Sequence, residues 1–259
     1  MSSNEVTWKD KLKAYTRTPG SLIVMLLVML SAIMTFAVLI FLIVYVLAHG
    51  VPYLKPSIFS LHYTSENASL MPALINTVIM TLLSLLIAVP FGISAAIFLV
   101  EYAKRGNKFV EVIRLTTETL QGIPSIVYGL FGMLFFVTYL KWGYSILAGA
   151  ATLAIMVLPL IMRTTEEALL AVSDSYREAS FGVGAGKLRT VFKIVLPAAM
   201  PGILSGVILA IGRIVGETAA LIYTAGTVAE VSKGLLSSGR TLAIHMYVLS
   251  SEGLYTNQA

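Results

Sequence analysis

The stretch Thr18–Leu54, TPGSLIVMLLVMLSAIMTFAVLIFLIVYVLAHGVPYL, contains no Asp, Glu, Lys or Arg. A helix needs about 20 predominantly apolar residues to cross a bilayer's hydrocarbon core. This run is long enough to do so. The pattern recurs along the chain: Asn67–Val100, Thr119–Leu140 and Trp142–Met162 are also free of charge. Ile194–Ala229 is broken only by Arg213 and Glu217. Five spanning segments are expected, at 21–48, 71–100, 119–140, 144–163 and 198–224. Each should be helical, because lipid offers no partner for a bare backbone amide. The fold class is therefore all-α, a polytopic membrane helical bundle.

Composition agrees. Of 259 residues, 57% are hydrophobic and 12% charged, too few polar groups to coat a soluble globule. A disordered chain needs the opposite balance. There is no cysteine, which excludes disulfides, a thiol nucleophile and thiolate metal sites. His49, His62 and His245 are scattered, without metal-site spacing.

The first apolar run is too long for the core of a signal peptide and lacks a small-x-small cleavage site after it, so it reads as an uncleaved anchor. The segment 1–18, with Lys9, Lys11, Lys13 and Arg17, reads as a cytoplasmic basic segment at the membrane surface. Residues 19–224 form the transmembrane domain and 225–259 an external tail, in which Leu242–Leu249 is too short to cross.

Basic residues set the orientation. The N-terminal segment, the 101–118 loop and the 163–197 loop together hold 13 Lys and Arg. The opposite side holds four: Lys55, Lys141, Lys233 and Arg240. The N-terminus is thus expected in the cytoplasm. The net charge of +5 follows from this bias and needs no nucleic acid.

The 163–197 loop is rich in helix formers. Ser173-Asp174-Ser175 interrupts it and can cap a new helix carrying Glu178, Ala179 and Ser180. Gly182, Gly184 and Gly186 permit a tight turn, and a second short helix is expected from Lys187 to Pro197. Such a pair makes a knob standing out of the bilayer, with Lys187, Arg189 and Lys193 facing cytosol or headgroups. Gly182–Leu188 imitates a phosphate loop, but Phe181 and Leu188 occupy the positions that need Gly and Ser or Thr.

The spacing Glu178-Ala179-Ser180, Gly184 and Ile194-x-Leu196-Pro197 resembles the EAA loop of ABC-importer permeases, with Ser180 in place of an alanine. That resemblance implies that Glu178, Ala179, Ser180 and Gly184 contact a cytoplasmic ATPase dimer. ATP would be bound by that partner, and this chain would carry no cofactor and no catalysis of its own.

Arg213 lies about 24 Å of helix rise beyond Pro197, inside the membrane. A guanidinium there is costly and marks a functional site by default. Glu217 is expected one turn on, sharing its face. The pair either neutralises itself or handles an anion, for which the guanidinium fork is suited. Pro90 and Pro124 can kink the second and third spans. Ser125 and Tyr128 can line a polar route or bond a neighbouring helix.

Gly212–Ala219 resembles the R-x2-G-E-T-A stretch of PstA-type phosphate permeases, and Gln121–Gly129 is similar to the same subunit. This resemblance implies a phosphate pathway involving Arg213 and Glu217. It also implies a PstC-type sister permease, an extracytoplasmic phosphate-binding protein and a location in a bacterial or archaeal cytoplasmic membrane. A sixth span is expected in that family after Leu254–Gln258, so the chain looks about one helix short. The alternatives are a permease for sulfate or molybdate and a membrane signalling scaffold without flux.

Overall fold

A computed structural model describes residues 19–104 and 106–253 of the chain. The basic segment 1–18, Arg105 and the region 254–259 lie outside the described residues. The chain divides into two compact units, 1–54 and 55–259.

The first unit contributes α1, Pro19–Gly50, and a short 3-10 turn, Val51–Tyr53. Helix α1 is apolar on every face, so it needs lipid or protein all round it. Ser31 and Thr35 spend their hydroxyls on carbonyls one turn back, at 2.8 Å each.

The second unit is a helical bundle. It comprises α2 (Met71–Ile97), extended by a π-helical turn Phe98–Tyr102, then α3 (Lys108–Gln121) and α4 (Ser125–Gly132). Helix α4 continues as a π-helical stretch, Met133–Tyr139. Next come α5 (Ile146–Leu170), α6 (Asp174–Gly182), α7 (Lys187–Thr190) and α8 (Leu196–Val215). A π-helical stretch, Val191–Val195, joins α7 to α8, so Lys187–Val215 is one rod. Two short helices follow, α9 (Ala219–Ile222) and α10 (Leu242–Glu252). The described residues contain no strand.

Among the described residues, four helices are long and apolar enough to cross a membrane, and a fifth if α3 and α4 count as one bent span. The third expected span differs most from the sequence reading. It begins at Lys108 rather than 119 and bends by 100° at Gly122-Ile123-Pro124. Pro124 fixes its own φ and biases Ile123 away from helix, so the bend falls there. Pro90, by contrast, sits inside a continuous α2. The fourth span extends past 163 to Leu170. The second loop helix is no separate element, because it is the start of the fifth span.

Helix α5 is the centre of the bundle, with α2 and α8 packed along it. Small residues allow this. A Cβ on Gly92 would meet Ile161 at 2.8 Å, and one on Gly202 would meet Ala168 at 2.7 Å. Gly206 fits against Thr164 in the same manner. Met80, Leu153, Met156, Val157, Ile161 and Leu221 fill one core. A second core, around Ile97, Leu169, Val172, Val191 and Ile203, lies where α2, α5 and the α7–α8 rod meet the hairpin.

The segment after α9 folds back on the bundle. Buried Asn76 of α2 donates to the carbonyls of Glu230 (3.0 Å) and Arg240 (3.3 Å) and accepts from Ser232 N (3.0 Å). Thr77 Oγ1 accepts from Leu242 N at 2.8 Å, where α10 starts. Ser145, Ile146 and Leu147 donate their amides to the carbonyls of Thr224, Ser237 and Leu235. Asn76→Ala would take this partner from three backbone groups and leave the buried Arg240 carbonyl without it. We expect it to cost about 1–3 kcal/mol, read as a lower unfolding temperature of the purified protein.

Candidate functional site: two helix breaks and a hairpin

The fifth span stops short of its expected end. Helix α8 ends at Val215, Gly216-Glu217-Thr218 turn, and α9 restarts at Ala219. Glu217 therefore does not lie one helical turn above Arg213. The two form no ion pair. Glu217 is buried, and its carboxylate accepts from Ala220 N at 3.0 Å. It caps α9, where the exposed amides of a helix start favour an anion.

The break in the third span lies beside this one. A Cβ on Gly129 of α4 would come within 2.8 Å of Ala220 Cα, and one on Gly132 would collide with Thr152 and Thr224. So α4 and α9 touch backbone to backbone. Tyr128 is buried and donates its hydroxyl to Leu120 O at 2.8 Å, which bridges the bend from α4 back to α3. Gln121 Nε2 donates to Pro159 O of α5 at 3.1 Å and holds the other side of the break. Ser125 is the first helical residue after it and is half-buried.

Arg213 is half-exposed on the last turn of α8. No side-chain hydrogen bond or ion pair engages it among the described residues. The structure thus gathers Arg213, Glu217, Ser125 and Tyr128 around two adjoining breaks without bonding any of them to another. Sequence reasoning missed the second break. Its signal was Gly216 followed by Thr218, a permissive residue and a β-branched one.

Charged residues line the α3–α5 contact on the expected cytoplasmic side. Arg163 donates to Glu118 (2.9 Å) and Glu167 (2.7 Å), and Arg114 pairs with buried Glu166 at 2.6 Å. Arg163–Glu167 has the i,i+4 spacing of a helical pair, whereas the other two pairs join segments far apart in sequence and nothing in the spacing announced them.

The hairpin forms as the cap signal implied. Ser173 Oγ accepts from Ser175 N at the start of α6, and Gly184 turns the chain at φ +83°. Glu178, Ala179 and Gly184 are exposed. Ser180 is buried instead, and its hydroxyl bonds Thr190 Oγ1 at 2.8 Å, clasping α6 to α7. Lys187 does not face solvent alone: its ammonium stands 5.0 Å over the Tyr102 ring. Val183 at the tip is an exposed apolar side chain that the sequence reading passed over.

Long apolar helices, one pair of them sharply bent, with an exposed hairpin at one end, are the architecture of a multi-pass membrane protein. Residues 88–250 match the family described as binding-protein-dependent transport system inner membrane component. A probable ABC transporter permease protein, YqgI of Bacillus subtilis, is 34% identical over 243 residues, covering 87% of this chain and 81% of that protein. The phosphate transport system permease protein PstA 2 of Mycobacterium tuberculosis is 38% identical over 181 residues, or 70% of this chain and 60% of that protein. PstA of Pasteurella multocida is 40% identical over 179 residues, 68% of this chain and 63% of its own length. The chain belongs to the binding-protein-dependent ABC transporter permease family.

The two breaks give a stability contrast. Gly129→Ala forces its new methyl into Ala220 backbone and should cost about 1–3 kcal/mol. Gly122→Ala meets only Thr119 O at an ordinary 3.5 Å and should be close to neutral. Thermal unfolding of the two variants side by side checks this.

Proposed function

We propose that the chain is a transmembrane permease subunit of an ATP-driven importer of inorganic phosphate. The observation that carries this reading is Arg213: a guanidinium without a side-chain partner among the described residues, beside two helix breaks in adjoining spans. Broken helices near the middle of a bilayer present backbone groups to a substrate where an unbroken helix cannot. Phosphate suits a guanidinium fork, which offers two parallel donors to two oxygens. The relatives whose names specify phosphate transport support the same substrate.

The transported anion would pass close to Arg213, with Ser125, Tyr128 and capped Glu217 at the margins. One such cluster is too small to enclose a phosphate, so the pathway would run at an interface with a second, PstC-type permease. A cytoplasmic ATPase dimer would dock on exposed Glu178, Ala179 and Gly184. ATP would be bound and hydrolysed there, and this chain would convert its closure into alternating access. An extracytoplasmic phosphate-binding protein would deliver substrate to the opposite face. The N-terminus would lie in the cytoplasm, in keeping with the basic loops.

The test is uptake into vesicles holding this chain, the sister permease and the ATPase, with the binding protein supplied. Phosphate should accumulate only with ATP. Arg213→Ala should abolish uptake while the complex still assembles, and normal uptake by that variant would sink the reading. Uptake of sulfate or molybdate in place of phosphate would move the substrate to another oxyanion. Assembly without any flux would point to a signalling scaffold.

A further inference from the structure

The π-helical turn Phe98–Tyr102 closes α2 with Ala103 N bonded to Phe98 O at 2.9 Å. Two consecutive side chains of this turn hold the hairpin. Glu101 Oε1 accepts from Arg177 Nε at 3.0 Å and from Nη2 at 2.7 Å. Both side chains are largely buried. Tyr102 lies under Lys187, so the first helix of the hairpin is held by one residue and the second by the next.

Arg177 reaches further. Its Nη1 donates to Val172 O at 2.8 Å and to Asp174 Oδ1 at 3.2 Å, and its Nη2 donates to Leu169 O at 3.0 Å. One guanidinium thus bonds the end of α2, the last turn of α5 and the start of α6. A planar fork with several fixed donors can do this, and a lysine cannot. Breaking such a buried pair strands a charge, so the groups it joins move together.

We infer that Glu101 and Arg177 are positioning residues that make the hairpin and α2 one rigid body, with Tyr102 as a second hold. This deepens the permease reading and rests on it. The hairpin is joined by peptide bonds to α5 and α8, yet α2 is bound to it through side chains alone. Helix α2 then carries a displacement at the hairpin to its far end, where Asn76 holds residues 230–240. From Asn76 to Glu101 the helix rises about 38 Å.

The chain has no cysteine, so paired spin labels can be placed without background. Exposed Tyr176 of α6 and Leu86 of α2 are suitable sites. In the assembled complex, the Tyr176→Cys/Leu86→Cys distance should stay constant between nucleotide-free and ATP-trapped states. With Glu101→Gln added it should change or broaden. A distance that changes in the parent complex overturns the inference, as does one unaffected by Glu101→Gln. This readout needs no flux, so it stands even where the phosphate reading fails.

In the same vesicles, Glu101→Gln and Arg177→Lys should keep ATP hydrolysis. Phosphate moved per ATP should fall about tenfold, within the usual range of coupling between sites. An unchanged ratio, with uptake and hydrolysis falling together, would reduce both residues to structural supports and overturn the inference. The ratio is taken per assembled complex, so reduced assembly does not mimic the effect. If the parent complex moves sulfate and no phosphate, the substrate reading fails and the same ratio is taken with sulfate.

Discussion

Lipid cannot hydrogen-bond a backbone, and the bundle is organised around that constraint. Each interruption of a span has to be covered by protein. The Gly122–Pro124 break is covered by Tyr128, which reaches back to Leu120 O, and by Gln121, which reaches Pro159 O. The Gly216–Thr218 break is covered by Glu217, which caps α9 with its own carboxylate. The two breaks also pack against each other, through Gly129 and Ala220. Irregular backbone inside a membrane is therefore concentrated in one place. Arg213 stands at its edge.

That concentration separates the roles of the two intramembrane charges. Glu217 is committed to a helix start and is buried there. Arg213 has no such commitment among the described residues. A neighbouring pair of opposite charges in sequence suggested mutual neutralisation. The local backbone dissolves the pair by ending α8 between them. What reads as a self-sufficient ion pair on an ideal helix becomes one structural carboxylate and one available cation.

The spans were legible because charge-free length is a strong signal and survives any packing arrangement. The hairpin was legible too, since Ser173 as a cap and Gly184 as a turn are local chemistry. Ser180 was legible as a small residue but not as a clasp, because its partner Thr190 lies across the turn. The 100° bend was half visible in Pro124. Its first arm, α3, was not, since Lys108, Glu111, Arg114 and Glu118 made it look like a loop. Asn76 gave no sign of its role, because its three partners lie in residues 230–240. Wherever a side chain answers to a distant segment, periodicity and propensity carry no record of it.

The charges of α3 have a further consequence, which concerns time. Arg114 and Glu118 find their counter-charges, Glu166 and Arg163, only on α5. Glu118 and Arg163 are 45 residues apart, so α3 leaves the ribosome well before its partners exist. A helix that polar has little reason to settle against the bundle alone. The ion pairs that tie α3 to the bundle can therefore form only once α5 has been made. These contacts of α3 thus close late, on a central helix that is synthesised after the segment it holds.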